Sequence, residues 1–253
     1  MERIGEHEYV LVMSERGKSW LIKAEKDKKF QTHISTIDMN DILGAAYGSR
    51  IYSGGHYVLL RPTLEDLIMR YRRGTQIVYS KDAGYILIRL DVRDGKKVLE
   101  MGTGSGAMSS YLASAVSSSG RVLSYEIRDD FMPIAKRNLE MSGLLRYVEL
   151  RDIKVQPVPD DESCDSAFVD LGDPWEHVGE VYRAVRPSAP VSFLIPTVDQ
   201  AEKLSTALTQ GGFGMMDTVE IMMRKMNIAE GKSRPSVFMS GHTAYLMFAK
   251  KLA

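Results

Sequence analysis

The chain has 253 residues, 44% of them hydrophobic and 26% charged, enough to bury the core of one α/β domain plus a smaller module; such a composition excludes a disordered or fibrous chain. Lysine plus arginine number 33 and aspartate plus glutamate 33, which excludes a global positive field and leaves any polyanion site to a local patch. Cys164 is the single cysteine, so an intrachain disulfide and a paired-cysteine zinc site are excluded; with no signal-peptide core and no apolar run near the roughly 20 residues a bilayer needs, a cytoplasmic protein without metal or membrane contact is expected.

Residues 1–60 carry short strand-like runs, Tyr9-Val10-Leu11-Val12 and Ser19-Trp20-Leu21-Ile22, punctuated by Gly17 and Gly54-Gly55; they predict a small β-rich domain. The second domain is placed at 61–253. It opens with a helix over 63–72, where Leu64, Leu67, Ile68 and Tyr71 share a face behind Pro62. An extended segment, Gln76-Ile77-Val78-Tyr79, leads to a second helix over 81–90. From Lys96 strands and helices alternate: strands at 97–100, 121–125, 147–150, 166–171 and 191–195, helices at 106–116, 129–141 and from about Trp175 and Val198. Alternation of this kind predicts a mostly parallel sheet covered by helices. The tail breaks the rhythm, with consecutive strands at 213–226 and 243–250 that predict a closing hairpin and one antiparallel strand. Basic residues concentrate in two stretches, six against three acidic over 61–90 and six against two over 220–253.

In Glu100-Met101-Gly102-Thr103-Gly104-Ser105-Gly106-Ala107 a strand ends and a helix begins. Glycines there allow a sharp turn and a close ligand, and the first helical turn presents open N–H groups to it. The spacing is G-x-G-x-G, unlike the dinucleotide fingerprint G-x-G-x-x-G. By itself the cluster is weak evidence, and a plain tight turn is its other reading. Glu126 ends the next strand twenty residues after Gly106, where a carboxylate can accept both hydroxyls of a ribose. Asp152 ends the third strand and can accept from an adenine amino group, with neighbouring apolar residues such as Ile153 stacking on the ring; singly, it reads as well as a loop residue. Together the three strand ends describe an adenosine without phosphates. S-adenosylmethionine is such a ligand, and the helix N-terminus favours its carboxylate.

At Asp170-Leu171-Gly172-Asp173-Pro174-Trp175 the chain resembles the tRNA (adenine-58-N1)-methyltransferase family, which carries D-[LM]-P-x-P-W at this point. The resemblance extends to Gln76-Ile77-Val78-Tyr79-Ser80-Lys81-Asp82, to residues 100–106 and to Gly241-His242-Thr243-Ala244-Tyr245-Leu246. It departs at Gly172, where the family has proline and a stiffer loop, and at Phe131, where some relatives have a basic residue. The resemblance implies a class I methyltransferase of Rossmann-like fold, a homotetramer, with tRNA as substrate and S-adenosylmethionine held by Gly102, Thr103, Gly104, Ser105, Gly106, Ala107, Glu126, Asp152, Ile153 and Asp170. Tyr79, Arg234 and His242 are implied at the substrate, His242 as contact or support.

The chemistry fits that assignment. Adenine N1 is a neutral nucleophile, so the enzyme supplies mainly in-line positioning and a partner for the positive charge that develops on the ring. Asp170, accepting from the N6 amino group, can do both; read structurally, it would be a helix cap. The target base must leave its stack at a cost of a few kcal/mol, offset by aromatic stacking of about 1–3 kcal/mol, for which Tyr79 is the candidate, although after Ile77 and Val78 it reads equally as core. Arg70, Arg72, Arg73, Arg224, Lys225, Lys232 and Arg234 are candidate phosphate contacts. Two other readings stand beside this one: a class I methyltransferase acting on a small molecule or protein side chain, and a tRNA-binding subunit that has lost catalysis.

Overall fold

The computed structural model describes residues 2–74 and 76–253; Met1, the first residue of the expected front domain, and Thr75 lie outside it. The chain divides into two compact units, one running to Tyr71 and one from Arg72 onward.

The front unit is built on strands β1 (Tyr9–Ser14), β2 (Ser19–Lys23), β3 (Lys29–Gln31), β4 (Thr36–Asp38), β5 (Arg50–Tyr52) and β6 (His56–Leu60). Four of them form an antiparallel sheet in the order β2-β1-β6-β5, and β3 pairs with β4. Alternate residues Val10, Val12, Tyr57 and Leu59 face a common core with Ile4, Ile22, Ile37 and Ile42. The first helix, α1 (Leu64–Ile68), is shorter than the expected 63–72 and belongs to this unit, so the division falls eleven residues later than the sequence places it. Thr63 and Asp66 form a reciprocal capping box at its start. Past Met69 the amides of Arg70 and Tyr71 bond only three residues back, to Leu67 and Ile68, which tightens and ends the helix. The Arg70 guanidinium reaches back to Ser19.

In the second unit the elements are α2 (Ser80–Arg89), β7 (Lys97–Met101), α3 (Ala107–Val116), β8 (Arg121–Glu126), α4 (Phe131–Met141), β9 (Val148–Asp152), β10 (Ser166–Val169), α5 (Val178–Ala184), β11 (Pro190–Ile195), α6 (Val198–Gln210), β12 (Phe213–Glu220), the two-residue strands β13 (Met226–Asn227) and β14 (Arg234–Pro235), and β15 (Tyr245–Lys251). Seven strands make one sheet in the order β12-β15-β11-β10-β7-β8-β9, with β15 antiparallel to both neighbours and the other contacts parallel. The expected mostly parallel sheet with one antiparallel strand is therefore present.

The central strands are buried on both faces, which explains their near-continuous apolar sequences. Leu99, Met101, Leu123, Tyr125, Val169 and Phe193 pack with Val181, Leu204 and Leu208 of α5 and α6. On the opposite face Ser109 of α3 bonds Glu100, and Tyr85 of α2 meets Phe248 edge-on. Cys164 is fully buried just before β10 and bridges to Val185; burial pushes its thiol up to about 11.

Two expected elements differ. The segment from Trp175 is a 3₁₀ turn over Pro174–His177 before α5 begins, because Pro174 starts the turn and the chain re-aims at Val178. The expected strand 213–226 stops at Glu220; residues 221–244 leave the sheet as an excursion whose own pairing is β13 with β14, and the chain rejoins as β15. Exposed Met222, Met223, Ile228 and Phe238 lie on this excursion. Among the described residues no helix is long and apolar enough to cross a membrane.

Candidate active site

A cavity of about 640 Å³ opens at the carboxyl ends of β7, β8, β10 and β11. Strand order reverses there, since the chain runs β7-β8-β9 to one side and returns to β10 and β11 on the other; crevices of this kind are where open α/β sheets take ligands.

On one side lies the glycine turn. Gly102 (φ 98°), Gly104 (φ 53°) and Gly106 (φ 79°) all adopt left-handed backbone. Gly102 is wedged between neighbouring strand ends: its amide donates to the Tyr125 carbonyl, and a Cβ there would sit 2.1 Å from the Asp170 carbonyl oxygen. Gly102, Thr103, Gly104, Ser105 and Ala107 line the cavity. Gly106, expected among the nearest residues, stands outside that lining and lets α3 approach Ala135 of α4.

Glu126 is buried at the end of β8 and lines the cavity. Its Oε2 accepts from the Gly104 amide at 2.8 Å, and its Oε1 accepts from the Ile127 and Arg128 amides, each at 3.0 Å. These bonds fix the carboxylate, fill Oε1 and tie β8 to the glycine turn, leaving one acceptor site on Oε2 for a ligand hydroxyl. Ile127 is over half exposed although apolar, and with Ile153 it lines the same cavity; such a pair suits an aromatic ring. Asp152 does not line the cavity: its carboxylate turns back to accept from the Lys154 amide at 2.9 Å.

Beneath the turn Glu100 is fully buried. Its Oε2 accepts from Ser109 (2.6 Å) and Ser124 (2.5 Å), and Ser124 also meets Thr103 at 2.6 Å. Burial raises this carboxyl to about 7 against the pull of the two serines, with the charges of Asp170 and Glu126 adding to the rise. Asn138 of α4 was invisible to pattern reasoning yet holds the floor together, its amide donating to the Arg72 and Ser105 carbonyls at 2.9 Å each.

On the other side Asp170 follows β10 and lines the cavity with Leu171, Gly172, Asp173 and Tyr79. Its amide bonds Met101; burial, then the Glu126 charge, push its carboxyl up to about 6, with Arg128 opposing. The Gly172 carbonyl accepts from Gln200 at 3.1 Å, and a Cβ there would meet no atom within 4 Å. Arg234 is exposed on β14, outside the lining.

His242 also lies outside the lining, but it ties the excursion down: Nδ1 is 2.6 Å from Glu220 Oε1, and Nε2 is 2.9 Å from the Pro196 carbonyl. Two acceptors call for two ring protons, so its pKa is raised, first by Glu220 and then by the carbonyl. A raised folded-state value means that this contact stabilises fully below the unfolded histidine value, about 6.5, and fades as pH climbs through the folded one. Imidazole titration by NMR should give a midpoint above the ordinary value that falls toward it in Glu220→Gln, the Pro196 carbonyl retaining part of the rise; an ordinary midpoint in the unaltered protein removes the clasp.

Comparison with known proteins settles the family. A profile described as the tRNA methyltransferase complex GCD14 subunit matches residues 55–233. This chain belongs to that family. It is 31% identical to the tRNA (adenine(57)-N(1)/adenine(58)-N(1))-methyltransferase TrmI of Methanocaldococcus jannaschii, over 96% of this chain and 94% of that one. Among solved structures it is similar to the tRNA (m1A58) methyltransferase TrmI of Aquifex aeolicus, with a TM-score of 0.87, 34% identity and 100% of both chains covered. It is also similar to a structure described as a SAM-dependent O-methyltransferase from Thermotoga maritima, with a TM-score of 0.92, 34% identity, and 99% and 95% of the two chains covered. The class I methyltransferase fold implied by the resemblance is thus shared across full chains.

Proposed function

We propose that the protein methylates N1 of an adenine in the T-loop of tRNA, position 58 by analogy with its relatives, using S-adenosylmethionine. The observation that carries this reading is one cavity lined by both halves of the needed site, the Gly102–Ser105 turn with Glu126 on one side and Asp170 with Tyr79 on the other. The donor fits the residues present: Glu126 Oε2 keeps an acceptor site for a ribose hydroxyl, Ile127 and Ile153 offer an apolar slot for the adenine, and the first turn of α3 suits a carboxylate. When bound, S-adenosylmethionine supplies an electrophilic methyl group.

The chain's residues do the rest. Tyr79 stacks on the extruded target base, and Asp170 accepts from its exocyclic amino group, aiming N1 inward and balancing the positive charge that develops on the ring. Arg234 and the neighbouring Arg224, Lys225 and Lys232 hold phosphates, and His242 supports them by anchoring their excursion. The uncovered apolar residues of the excursion and the exposed Met215 and Met216 of edge strand β12 suit burial against further copies of the chain, which supports a homotetramer. A cytoplasmic location is consistent with a tRNA substrate.

The test is incubation with methyl-labelled S-adenosylmethionine and unmodified tRNA, followed by nucleoside mapping. Label in 1-methyladenosine is expected. Label on an oxygen, or none in tRNA, overturns the reading, and tRNA binding without transfer would favour a non-catalytic subunit. Affinity for tRNA should fall steeply with salt, by about 10³-fold between 50 and 200 mM for roughly six phosphate contacts; a flat dependence counts against the basic excursion.

A further inference from the structure

Lys81 and Asp82 form an ion pair at the start of α2, with side chains 8% and 2% exposed. Residues adjacent on a helix do not normally face each other, so this pair does not serve helix stability. Nor does burial favour it, because desolvation roughly cancels the attraction between two such charges. What it provides is geometry. The Lys81 ammonium donates to Asp82 Oδ1 (2.7 Å) and Oδ2 (2.9 Å), to the Ile221 carbonyl (2.6 Å) and to Thr243 Oγ1 (2.8 Å). Thr243 donates in turn to Asp82 Oδ2 at 3.2 Å.

Ile221 and Thr243 are the two roots of the 221–244 excursion, one following β12 and the other preceding β15. One ammonium thus grips both sides of the neck. Beyond it the excursion is exposed and held mainly to itself, through the β13–β14 pair and an Arg224 bond to the Ser236 carbonyl. Asp82 and Thr243 line the cavity beside Tyr79, whose carbonyl accepts from the Asp82 amide. A shift of the pair therefore moves the base pocket and the basic excursion together.

We propose that Lys81, through Asp82 and Thr243, is a positioning residue for the tRNA half of the site, setting the excursion and Tyr79 for substrate while leaving the donor half untouched. This rests on the tRNA reading above. Lys81→Met and the nearly isosteric Thr243→Val should each raise the KM for tRNA, by about tenfold for Lys81→Met, as misplacement of a binding element does. The Kd for S-adenosylmethionine should stay unchanged and kcat fall less than KM rises, and Thr243→Ser, which keeps the hydroxyl, should behave as the unaltered protein. Trypsin should cut after Arg224 and Lys225 faster in Thr243→Val than in Thr243→Ser, a readout independent of activity that also serves if Lys81→Met fails to fold. An unchanged tRNA KM and unchanged cleavage in Thr243→Val overturn the inference, as does a parallel loss of cofactor affinity. No transfer by the unaltered protein would instead sink the tRNA reading.

Discussion

Asp170→Ala is expected to lower kcat on tRNA by about 10²- to 10³-fold, the usual cost of removing one preorganised group that stabilises transition-state charge, while the Kd for S-adenosylmethionine stays nearly unchanged. The asymmetry follows from the proposed roles: Asp170 lines the cavity after β10, on the side proposed for the target base, whereas the side proposed for the donor is fixed by the Glu126 bond to Gly104. Burial and the Glu126 charge push the Asp170 carboxyl up to about 6. Only its ionised form can balance a developing positive charge. The rate should therefore rise with pH through about 6 and level off above it, and Asp170→Asn should lose that limb as well as most of the rate. Equal rates for Asp170→Ala and the unaltered enzyme would remove Asp170 from the mechanism.

Gly102→Ala should be the most damaging small change in the turn. A methyl group would stand 2.1 Å from the Asp170 carbonyl oxygen, on a backbone with φ of 98° that side chains avoid. Overpacking and left-handed strain together cost about 3 kcal/mol, or roughly 6–12 °C in Tm for a unit of this size. The strain falls on the junction between the ends of β7 and β10, so activity should drop further than stability alone would require. Gly172→Ala is the control: nothing stands within 4 Å of the added carbon, and stability should change by less than about 0.5 kcal/mol. Similar melting for the two variants would show that the β7 and β10 ends can part without cost.

The parts of this molecule that could be read from the sequence are those governed by local periodicity or by a glycine with a special backbone. The buried strands at 97–101, 121–126 and 190–195 advertise themselves as apolar runs, and Gly102 and Gly104 mark the turn. The family motifs pointed to Asp170 and Tyr79, and both line the cavity. Asp152, at a strand end, stands outside the cavity lining, and its Oδ1 accepts from the Lys154 amide in a local turn. Other features escaped because they depend on partners distant in the chain. Asn138 reads as one more polar position on α4 until it is seen joining Arg72 to Ser105. Lys81 and Asp82 belong to a family motif, but nothing local reveals that Ile221 and Thr243 return to cover them. The excursion escaped for the opposite reason: its apolar residues imitate a strand, although they remain exposed.

The buried Cys164 has a practical consequence. Its thiol is inaccessible and held up at about 11, so at neutral pH it presents almost no thiolate. Since the chain has no other cysteine, the protein offers a silent background for maleimide chemistry. One cysteine introduced on the excursion would carry a fluorophore or spin label alone, and the arrival of tRNA at the neck could be timed without first deleting a native thiol from the core.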